Sequence, residues 1–197
     1  MLSINGDDSC KININVPGKH NVKNALAAIT IALELEISIE KIKLGLEQYM
    51  GVRRRFDIKY TTKNNIIIVD DYAHHPSEVS ATINAAKTGW GNRVIAVFQP
   101  HLFTRTRDFY KDFSKSLSKS DIVIITDIYP AREKPIKNIN SSMITKELIK
   151  QGHENVHYIP DPLSLPILIQ KIIYPNDIIL IMGAGNIWRI CENIYNE

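Results

Sequence analysis

The sequence predicts an α/β fold: a doubly wound, Rossmann-like, mostly parallel sheet that follows a shorter segment of different character. Two observations lead to this fold class. Continuously apolar runs such as Val94–Phe98 and Ile178–Met182 are typical of strands that are buried on both faces of a sheet. These runs alternate with helical patterns over short connections, which requires parallel pairing and right-handed crossovers.

Residues 1–50 precede the alternating region and do not complete a sheet by themselves. Residues 11–16 alternate polar and apolar side chains, as a half-buried strand does, and Pro17-Gly18 then predicts a turn. Apolar residues at three- and four-residue spacing predict helices over 21–36 and about 39–49. We therefore expect this segment to be the tail of another domain.

The α/β region is expected to span residues 51–197. A strand pair opens it, and strand and helix patterns then follow in turn. The predicted strands are 56–60, 66–70, 94–98, 122–126, 156–159 and 178–182. The predicted helices are 76–87, 106–117, 142–150, 163–173 and 187–195. In such a sheet, ligands bind where loops leave the carboxyl ends of the strands.

Composition and charge exclude several classes of protein. The 197 residues are 44% hydrophobic and 23% charged, as in an ordinary globular chain. No apolar run approaches the ~18 residues that a membrane span needs, and the N-terminus has no signal-peptide pattern. Lys and Arg (24) nearly balance Asp and Glu (21), which speaks against nucleic-acid binding. Cys10 and Cys191 have no metal or redox spacing, so we expect a cytoplasmic protein.

The loop after the strand at 66–70 concentrates two carboxylates, a phenol and two imidazoles in Asp70–Pro76. The plain structural interpretation is that Asp71 and His75 cap the strand and the helix. A zinc site is disfavoured because no cysteine or further histidine lies at ligand spacing. Such dense polar chemistry at a strand end favours a binding or catalytic site.

The segment Gln99–Arg107 supplies one imidazole, His101, and two guanidinium groups, Arg105 and Arg107. Arginine's planar donor fork suits bidentate binding of carboxylate or phosphate. Cations near a helix N-terminus oppose the helix dipole unless an anion also lies there. We expect that anion to be the ligand.

Two further motifs give weaker signals. Arg53-Arg54-Arg55 carries three charges without basic flanks, and on a strand Arg54 would point away from the other two. Gly183–Asn186 lies between the last strand and the last helix. It suits a close packing turn better than direct phosphate binding.

Six motifs together resemble the Mur ligase family, in particular its L-alanine-adding members, over nearly the whole chain. They are PGKHNVKNALAAI (17–29), GVRRRFD (51–57), VDDYAHHPSEV (69–79), FQPHLFTRTRDFY (98–110), YPAREKPI (129–136) and MGAGNIW (182–188). The resemblance implies the C-terminal tail of the family's central ATP-binding domain over residues 1–50. It implies the C-terminal Rossmann-like amino-acid-binding domain over 51–197. The alternatives are the murein tripeptide-recycling ligase, which differs where this chain reads FQPHLFTRT, and a non-catalytic nucleotide-binding module.

The resemblance also implies nucleotide-binding residues. Asn21 and Asn24 match side chains that line the adenine pocket. Arg55 matches the arginine that contacts the nucleotide phosphates, and Asp71 matches the carboxylate near the ribose. Arg55 and Asp71 are expected to be the catalytic residues of this chain.

Further residues are implied for the amino-acid substrate and the product. His74, His101 and Arg105 match positions that grip the amino-acid carboxylate and product. Leu102 departs from members that have arginine at this position, so a larger share of the binding is expected from Arg105 and Arg107.

The implied reaction is ATP-dependent ligation of L-alanine to the lactyl carboxylate of UDP-N-acetylmuramate through an acyl phosphate, in peptidoglycan precursor synthesis. The chain contains no GxxxxGK[ST] motif of a P-loop. The P-loop lysine, the Mg²⁺ ligands and the UDP-binding domain are therefore expected upstream of Met1. No metal ligand is expected in this chain, and the chain alone is expected to be inactive.

Overall fold

The computed structural model describes residues 2–4 and 7–195. The chain divides into two compact units, Met1–Val52 and Arg53–Glu197. Within the described ranges, no helix is long and apolar enough to cross a lipid bilayer.

The first unit contains two short antiparallel strands followed by two helices. They are β1 (Leu2–Ile4), β2 (Asp7–Cys10), α1 (Lys19–Glu34) and α2 (Ile39–Gln48). Both predicted helices are confirmed, but α1 begins two residues earlier than expected. It starts directly after Gly18, whose φ of 101° is a left-handed value that favours glycine.

The predicted strand over residues 11–16 is wrong. Its apolar members are half-buried and its polar members exposed, so the period of two in the sequence does correspond to one buried face. However, the segment pairs with no strand among the described residues. Instead, the Asn13 amide and the Asn15 carboxamide donate hydrogen bonds to Glu47 of α2. Alternation of polar and apolar residues indicates that one face of a segment is buried. A β-strand additionally requires backbone hydrogen bonds to a neighbouring strand.

The second unit alternates strands and helices as predicted. Its strands are β3 (Asp57–Thr61), β4 (Ile67–Asp71), β5 (Val94–Phe98), β6 (Ile122–Ile125), β7 (Val156–Tyr158) and β8 (Ile178–Met182). Its helices are α3 (Pro76–Trp90), α4 (Phe103–Leu117), α5 (Ser142–Lys150), α6 (Leu165–Ile172) and α7 (Ile190–Tyr195). Short 3₁₀ turns over Pro162–Ser164 and Ile187–Arg189 precede α6 and α7.

The six strands form one sheet in the order β3-β4-β8-β5-β6-β7. Five strands are parallel, and β3 pairs antiparallel with β4 at the edge. The crossover from β4 through α3 to β5 leaves a gap between these two strands, which β8 fills last. The predicted doubly wound, mostly parallel sheet is therefore confirmed.

Helices cover both faces of the sheet, and successive strand residues serve the two faces in turn. In β8, Ile178, Leu180 and Met182 join a buried cluster with α3, α4 and α5. The alternate residues Ile179 and Ile181 join a second cluster with α6 and α7. All five residues of β8 are buried, which explains why this strand is apolar without alternation.

Tertiary contacts account for two of the helix boundaries that differ from the prediction. Helix α3 continues to Trp90, whose ring stacks on Phe56 at a centroid distance of 5.6 Å. Helix α4 begins at Phe103, three residues before the predicted start, because Glu133 accepts hydrogen bonds from the Thr104 amide and hydroxyl at its first turn. Glu133 is 29 residues away in sequence, so no local pattern shows this cap.

Candidate functional site

The candidate site lies at the carboxyl ends of β4, β8 and β5. The Gly183 amide donates to the Asp71 carbonyl oxygen at 3.0 Å, and the Gln99 amide donates to the Met182 carbonyl oxygen at 3.0 Å. The loops that follow β4 and β5 therefore flank the end of β8. This is the point at which the strand order of the sheet reverses, where doubly wound folds bind ligands.

Asp71, the last residue of β4, is buried and forms its observed hydrogen bonds within the second unit. Its carboxylate accepts hydrogen bonds from the Phe56 amide (2.9 Å), the Ala73 amide (2.8 Å) and the Thr82 hydroxyl (3.1 Å). Burial raises the pKa of Asp71, although these three donors act to lower it. These contacts make Asp71 an anchor for the chain around Phe56. The predicted contact with a ribose stays a prediction.

Arg54 and Phe56 hold left-handed backbone conformations, with φ of 60° and 46°. Such conformations cost free energy for non-glycine residues, and they persist only where surrounding contacts fix them. Residues 53–56 therefore form a turn, and the predicted strand starts at Asp57 instead of Phe56. Arg55 lies between the two strained residues, so the turn fixes where this arginine leaves the backbone.

The side chain of Arg54 ties this turn to two other parts of the sheet edge. Its Nε donates to Asp70 Oδ2 at 3.2 Å, and its Nη2 donates to the Gly183 carbonyl oxygen at 2.7 Å. The guanidinium also lies 4.8 Å from the ring centroid of Tyr72. Asp70 is fully buried, so Arg54 is the counter-ion of a buried carboxylate.

In contrast to Arg54, which pairs with a buried carboxylate, Arg55 has a side chain that is largely exposed to solvent and accessible to a ligand. Its side chain is 55% exposed, and Nη1 lies 3.6 Å from Glu78 Oε1. A half-exposed guanidinium with a single loose ion pair retains donors for a phosphate. The position fits the predicted phosphate contact, which stays a prediction.

His75 caps helix α3, as the plain interpretation of the motif suggested. Its Nδ1 accepts from the Ser77 amide, and Glu78 Oε2 accepts from the His75 amide at 3.2 Å, which completes a capping box. The other part of that interpretation, a capping role for Asp71, agrees with its hydrogen bond from Ala73.

His74 and His101 meet across the mouth of the site. Their ring centroids are 6.1 Å apart, and the His101 ring stacks on Tyr129 at 5.8 Å. Arg105 Nη1 lies 3.4 Å from His101 Nδ1. Burial lowers the pKa of His101, and the positive charge of Arg105 lowers it further. His101 is therefore neutral at neutral pH, beside a guanidinium that stays charged.

The protein itself supplies one anion at the N-terminus of α4, and the expected anionic ligand there stays a prediction. Glu133 accepts from the Thr104 amide at 3.0 Å and from the Thr104 hydroxyl. These hydrogen bonds hold the pKa of Glu133 below its usual range. Arg105 lies in the first turn of α4, where this carboxylate offsets the unfavourable charge.

Arg107 is not brought into the cluster. Two residues along a helix correspond to about 200° of rotation, so Arg105 and Arg107 lie on different faces of α4. Arg107 Nε instead pairs with Asp108 at 2.7 Å, and both side chains are about half exposed. Its predicted contact with the substrate has no support from this geometry and stays a prediction.

The loop Gly183–Asn186 packs closely against Gln99, the residue after β5, and against Tyr129, as expected for a close packing turn. Gly183 has φ of 154°, and a methyl group added there would lie 2.9 Å from the Gln99 carbonyl oxygen. A methyl group added at Gly185 would lie 2.6 Å from Cγ of Tyr129. The glycines are thus required by neighbouring protein atoms.

We expect Gly185→Ala to lower the free energy of unfolding by ~1–3 kcal/mol, because the added carbon overpacks a rigid ring contact. Denaturant unfolding of the 197-residue chain measures this change. Gly89→Ala is the matched control: it lies within α3 with open space around the site, so it should be neutral or stabilising by up to ~1 kcal/mol. Equal stabilities of the two variants would contradict the packing described for this loop.

The first unit contains a pocket of about 320 Å³ that includes both predicted adenine-binding residues. Asn21 and Asn24 line it together with aliphatic side chains and Tyr49. The Asn21 side-chain carboxamide donates to the Pro17 carbonyl oxygen at 2.7 Å, and the Asn24 side-chain carboxamide donates to Asn21 Oδ1 at 3.3 Å. A mostly apolar pocket with a few convergent polar groups is typical of a small-molecule site. The assignment to adenine stays a prediction.

Sequence reasoning missed several residues that build the site. They are Arg54, Asp70, Glu78, Tyr129 and Glu133. The one available signal was the position of Glu78 three residues after His75, which is the spacing of a capping box and could have identified Glu78. The part of the chain that the structure describes contains no group of three or more His, Cys, Asp or Glu side chains that could hold a metal ion.

The fold and the site define a class of protein: a doubly wound α/β domain whose strand-end loops carry a cluster of arginine and histidine side chains. The family model of the Mur ligase, glutamate ligase domain matches residues 54–185. The chain belongs to this family.

Similar proteins agree with this assignment. The UDP-N-acetylmuramate–L-alanine ligase of Salinibacter ruber is 44% identical over 190 residues, and that of Chlorobium chlorochromatii is 47% identical over 186 residues. These alignments cover 96% and 93% of this chain but 40% of each relative, so the chain spans about two fifths of their length.

Solved structures give the same result. The structure of the UDP-N-acetylmuramate–alanine ligase of Thermotoga maritima is similar with a TM-score of 0.80 and 30% identity, over 96% of this chain and 40% of that one. A murein peptide ligase of Psychrobacter arcticus has a TM-score of 0.66 at 23% identity, over 93% of this chain and 38% of that one, and shows likeness of fold alone.

Proposed function

We propose that this chain is the C-terminal part of a UDP-N-acetylmuramate–L-alanine ligase. In this reaction ATP phosphorylates the lactyl carboxylate of UDP-N-acetylmuramate, and the amine of L-alanine attacks the acyl phosphate. The observation that carries the proposal is the convergence of Arg55, His74, His101 and Arg105 at one sheet edge. Each comes from a motif that resembles these ligases, and relatives with that name are 44% and 47% identical.

The roles proposed for these side chains follow their charges. Arg55 contacts the nucleotide phosphates, because its half-exposed guanidinium has donors available. Arg105 and His101 hold the amino-acid carboxylate. Asp71 supports Arg55 by anchoring the strained turn through the Phe56 amide, and this contact is the basis for including Asp71 in the catalytic machinery.

Nucleotide binding is proposed to involve Asn21 and Asn24 in the pocket of the first unit. A carboxamide can donate and accept at once, as the adenine N6 and N7 atoms require. ATP is the proposed cosubstrate. The described residues offer no cluster that fits Mg²⁺, so its ligands are proposed to belong to the upstream part of the enzyme.

The upstream part of the ligase is also the proposed protein partner. Helix α1 leaves Val22 and Leu26 about half exposed, and Ile31 is 62% exposed. Apolar side chains on one helix favour burial against further protein. We propose that the remainder of the central ATP-binding domain covers them, and that the assembled enzyme is cytoplasmic. Murein tripeptide-recycling activity is the alternative, but no contact of this site favours the larger substrate.

The purified 197-residue chain should fold but show no ATP-dependent ligation, because the sequence has no P-loop. A chimera that joins it to the upstream three fifths of the Salinibacter ruber ligase should form ADP only with both UDP-N-acetylmuramate and L-alanine present. The intact Salinibacter ruber enzyme is the control. An inactive, folded chimera beside an active control would refute the proposed function, as would ligation by the isolated chain.

A further inference from the structure

His74 lies near the middle of the site, and one of its two ring nitrogens forms a hydrogen bond with the backbone. Nδ1 is 2.9 Å from the carbonyl oxygen of Tyr72. A carbonyl oxygen accepts hydrogen bonds and cannot donate them, so Nδ1 carries a proton. In the neutral ring, the lone pair is therefore on Nε2. The structure thus fixes a basic nitrogen on the side of the ring away from the backbone.

Glu78 supplies a negative charge that helix capping does not need. Its Oε2 accepts from the His74 amide at 3.0 Å and lies 3.4 Å from His74 Nδ1. Glutamine can also form the two hydrogen bonds of a capping box, so these bonds do not require a carboxylate, although a negative charge in the first turn also interacts favourably with the helix dipole. Partial burial acts to raise the pKa of Glu78, but the His74 amide and nearby charges outweigh it and hold the pKa below its usual range. Glu78 is therefore ionised at neutral pH.

The other groups around His74 leave it as the available base. The Tyr72 ring lies at 5.2 Å edge-on, and the His101 ring lies at 6.1 Å. His101 has Arg105 beside it, which disfavours protonation of that ring. Arg55 lies beyond Glu78, at 3.6 Å from its other oxygen. The Glu133 carboxylate acts to raise the pKa of His101, but burial and the charges of Arg105 and His74 outweigh it. His74 has the closer carboxylate contact, with Glu78 Oε2 at 3.4 Å from Nδ1.

An amino acid reaches the enzyme as an ammonium ion, which has no lone pair and cannot attack an acyl phosphate. We propose that His74 Nε2 accepts a proton from the amine of the incoming amino acid, and that Glu78 is a positioning residue that orients the imidazole and stabilises its charged form. This inference rests on the proposed function, because it requires an amine nucleophile. It assigns to His74 a catalytic role beyond gripping the amino acid or product.

The proton balance of the step is complete. The nitrogen enters with three protons and ends in the amide with one. His74 takes the first proton, which frees the lone pair that forms the C–N bond at the acyl carbon. The second proton leaves the tetrahedral intermediate with the phosphate when the C–O bond breaks, so inorganic phosphate departs as its monohydrogen form. His74 then returns its proton to solvent.

The first test uses the 197-residue chain itself. Long-range ¹H–¹⁵N spectra of the histidine rings report which nitrogen carries the proton. We expect the Nδ1–H tautomer for neutral His74 in the wild type. The Nε2–H tautomer would overturn the inference, because Nε2 could then accept nothing.

The second test uses the chimeric ligase and the variant His74→Asn, whose amide can still donate to the Tyr72 carbonyl oxygen. We expect kcat with L-alanine to fall by ~10²- to 10⁴-fold, the usual contribution of a general base. The loss should shrink as the pH rises and free amine becomes available. With hydroxylamine, which is largely unprotonated at neutral pH, hydroxamate formation should fall at least tenfold less than ligation of L-alanine does.

Glu78→Gln keeps the cap and removes the charge, so it separates the two roles of this residue. We expect the thermal midpoint to stay within ~2 °C, kcat to fall about tenfold, and the acid limb of the pH–rate profile to move to lower pH. A His74→Asn enzyme with wild-type kcat and a raised KM for L-alanine would make His74 a binding residue only. A wild-type chimera without L-alanine-dependent ADP formation would instead overturn the proposed function, and this inference with it.

Discussion

Replacement of Arg54 by methionine should lower the free energy of unfolding by about 3–5 kcal/mol at neutral pH, because it leaves the buried Asp70 carboxylate without its counter-ion. Asp70 is fully buried, and its Oδ1 has no hydrogen-bond partner among the described residues. Arg54 is the donor to Oδ2, and it also satisfies the Gly183 carbonyl oxygen. Methionine has similar length but donates to neither.

The loss of stability in Arg54→Met should depend on pH, because it depends on the ionisation of Asp70. Burial raises the pKa of Asp70, and the Arg54 charge is the largest influence that lowers it. Without Arg54 this pKa rises further above the unfolded value of about 3.9. A carboxyl group whose pKa is higher in the folded state than in the unfolded state favours folding when the pH is below its unfolded pKa. This stabilising contribution is lost as the pH increases. Arg54→Met should therefore cost least near pH 4 and most near pH 7.

Two variants control this experiment in chemical denaturation of the full chain. Arg53→Met removes the exposed neighbouring charge and should change stability by less than ~0.5 kcal/mol. Adding Asp70→Asn to Arg54→Met should recover part of the loss, since the buried charge is then removed. A loss for Arg54→Met that is independent of pH would show that Asp70 is not its cause.

Arg105→Ala in the active chimera should raise the KM for L-alanine by ~10- to 150-fold, the effect of losing a charged hydrogen bond of ~1.5–3 kcal/mol. The proposed substrate, L-alanine, is a small zwitterion whose methyl group contributes on the order of 0.8 kcal/mol. Its amine must be free to attack, so its carboxylate provides most of the affinity. Arg105 lies 3.4 Å from His101, where both can reach one carboxylate.

The matched control for Arg105 is Arg107→Ala, on another face of the same helix. Arg107 is exposed and paired with Asp108, so its removal should leave the KM for L-alanine within about twofold. The KM for ATP should stay within about twofold in both variants. A rise in the KM for ATP in Arg105→Ala would place Arg105 on the nucleotide and leave the carboxylate to His101.

Much of the fold follows from the sequence because burial leaves a local pattern. Strands such as Val94–Phe98 and Ile178–Met182 are buried on both faces, so each reads as an unbroken apolar run. The alternation of these runs with helices then restricts the topology to a parallel sheet. Residues 11–16 show the limit of such patterns, since one face of the segment is indeed more buried but no strand among the described residues pairs with it.

The loops that carry the site were also predicted, because strand ends in a doubly wound sheet converge at one edge. The partners within the site were decided by the tertiary structure. Arg54 binds Asp70 and Gly183, which are 16 and 129 residues away in sequence, and Glu133 caps a helix 29 residues before it. Local sequence encodes which faces are buried, whereas strand order and crossovers decide which distant charges come together.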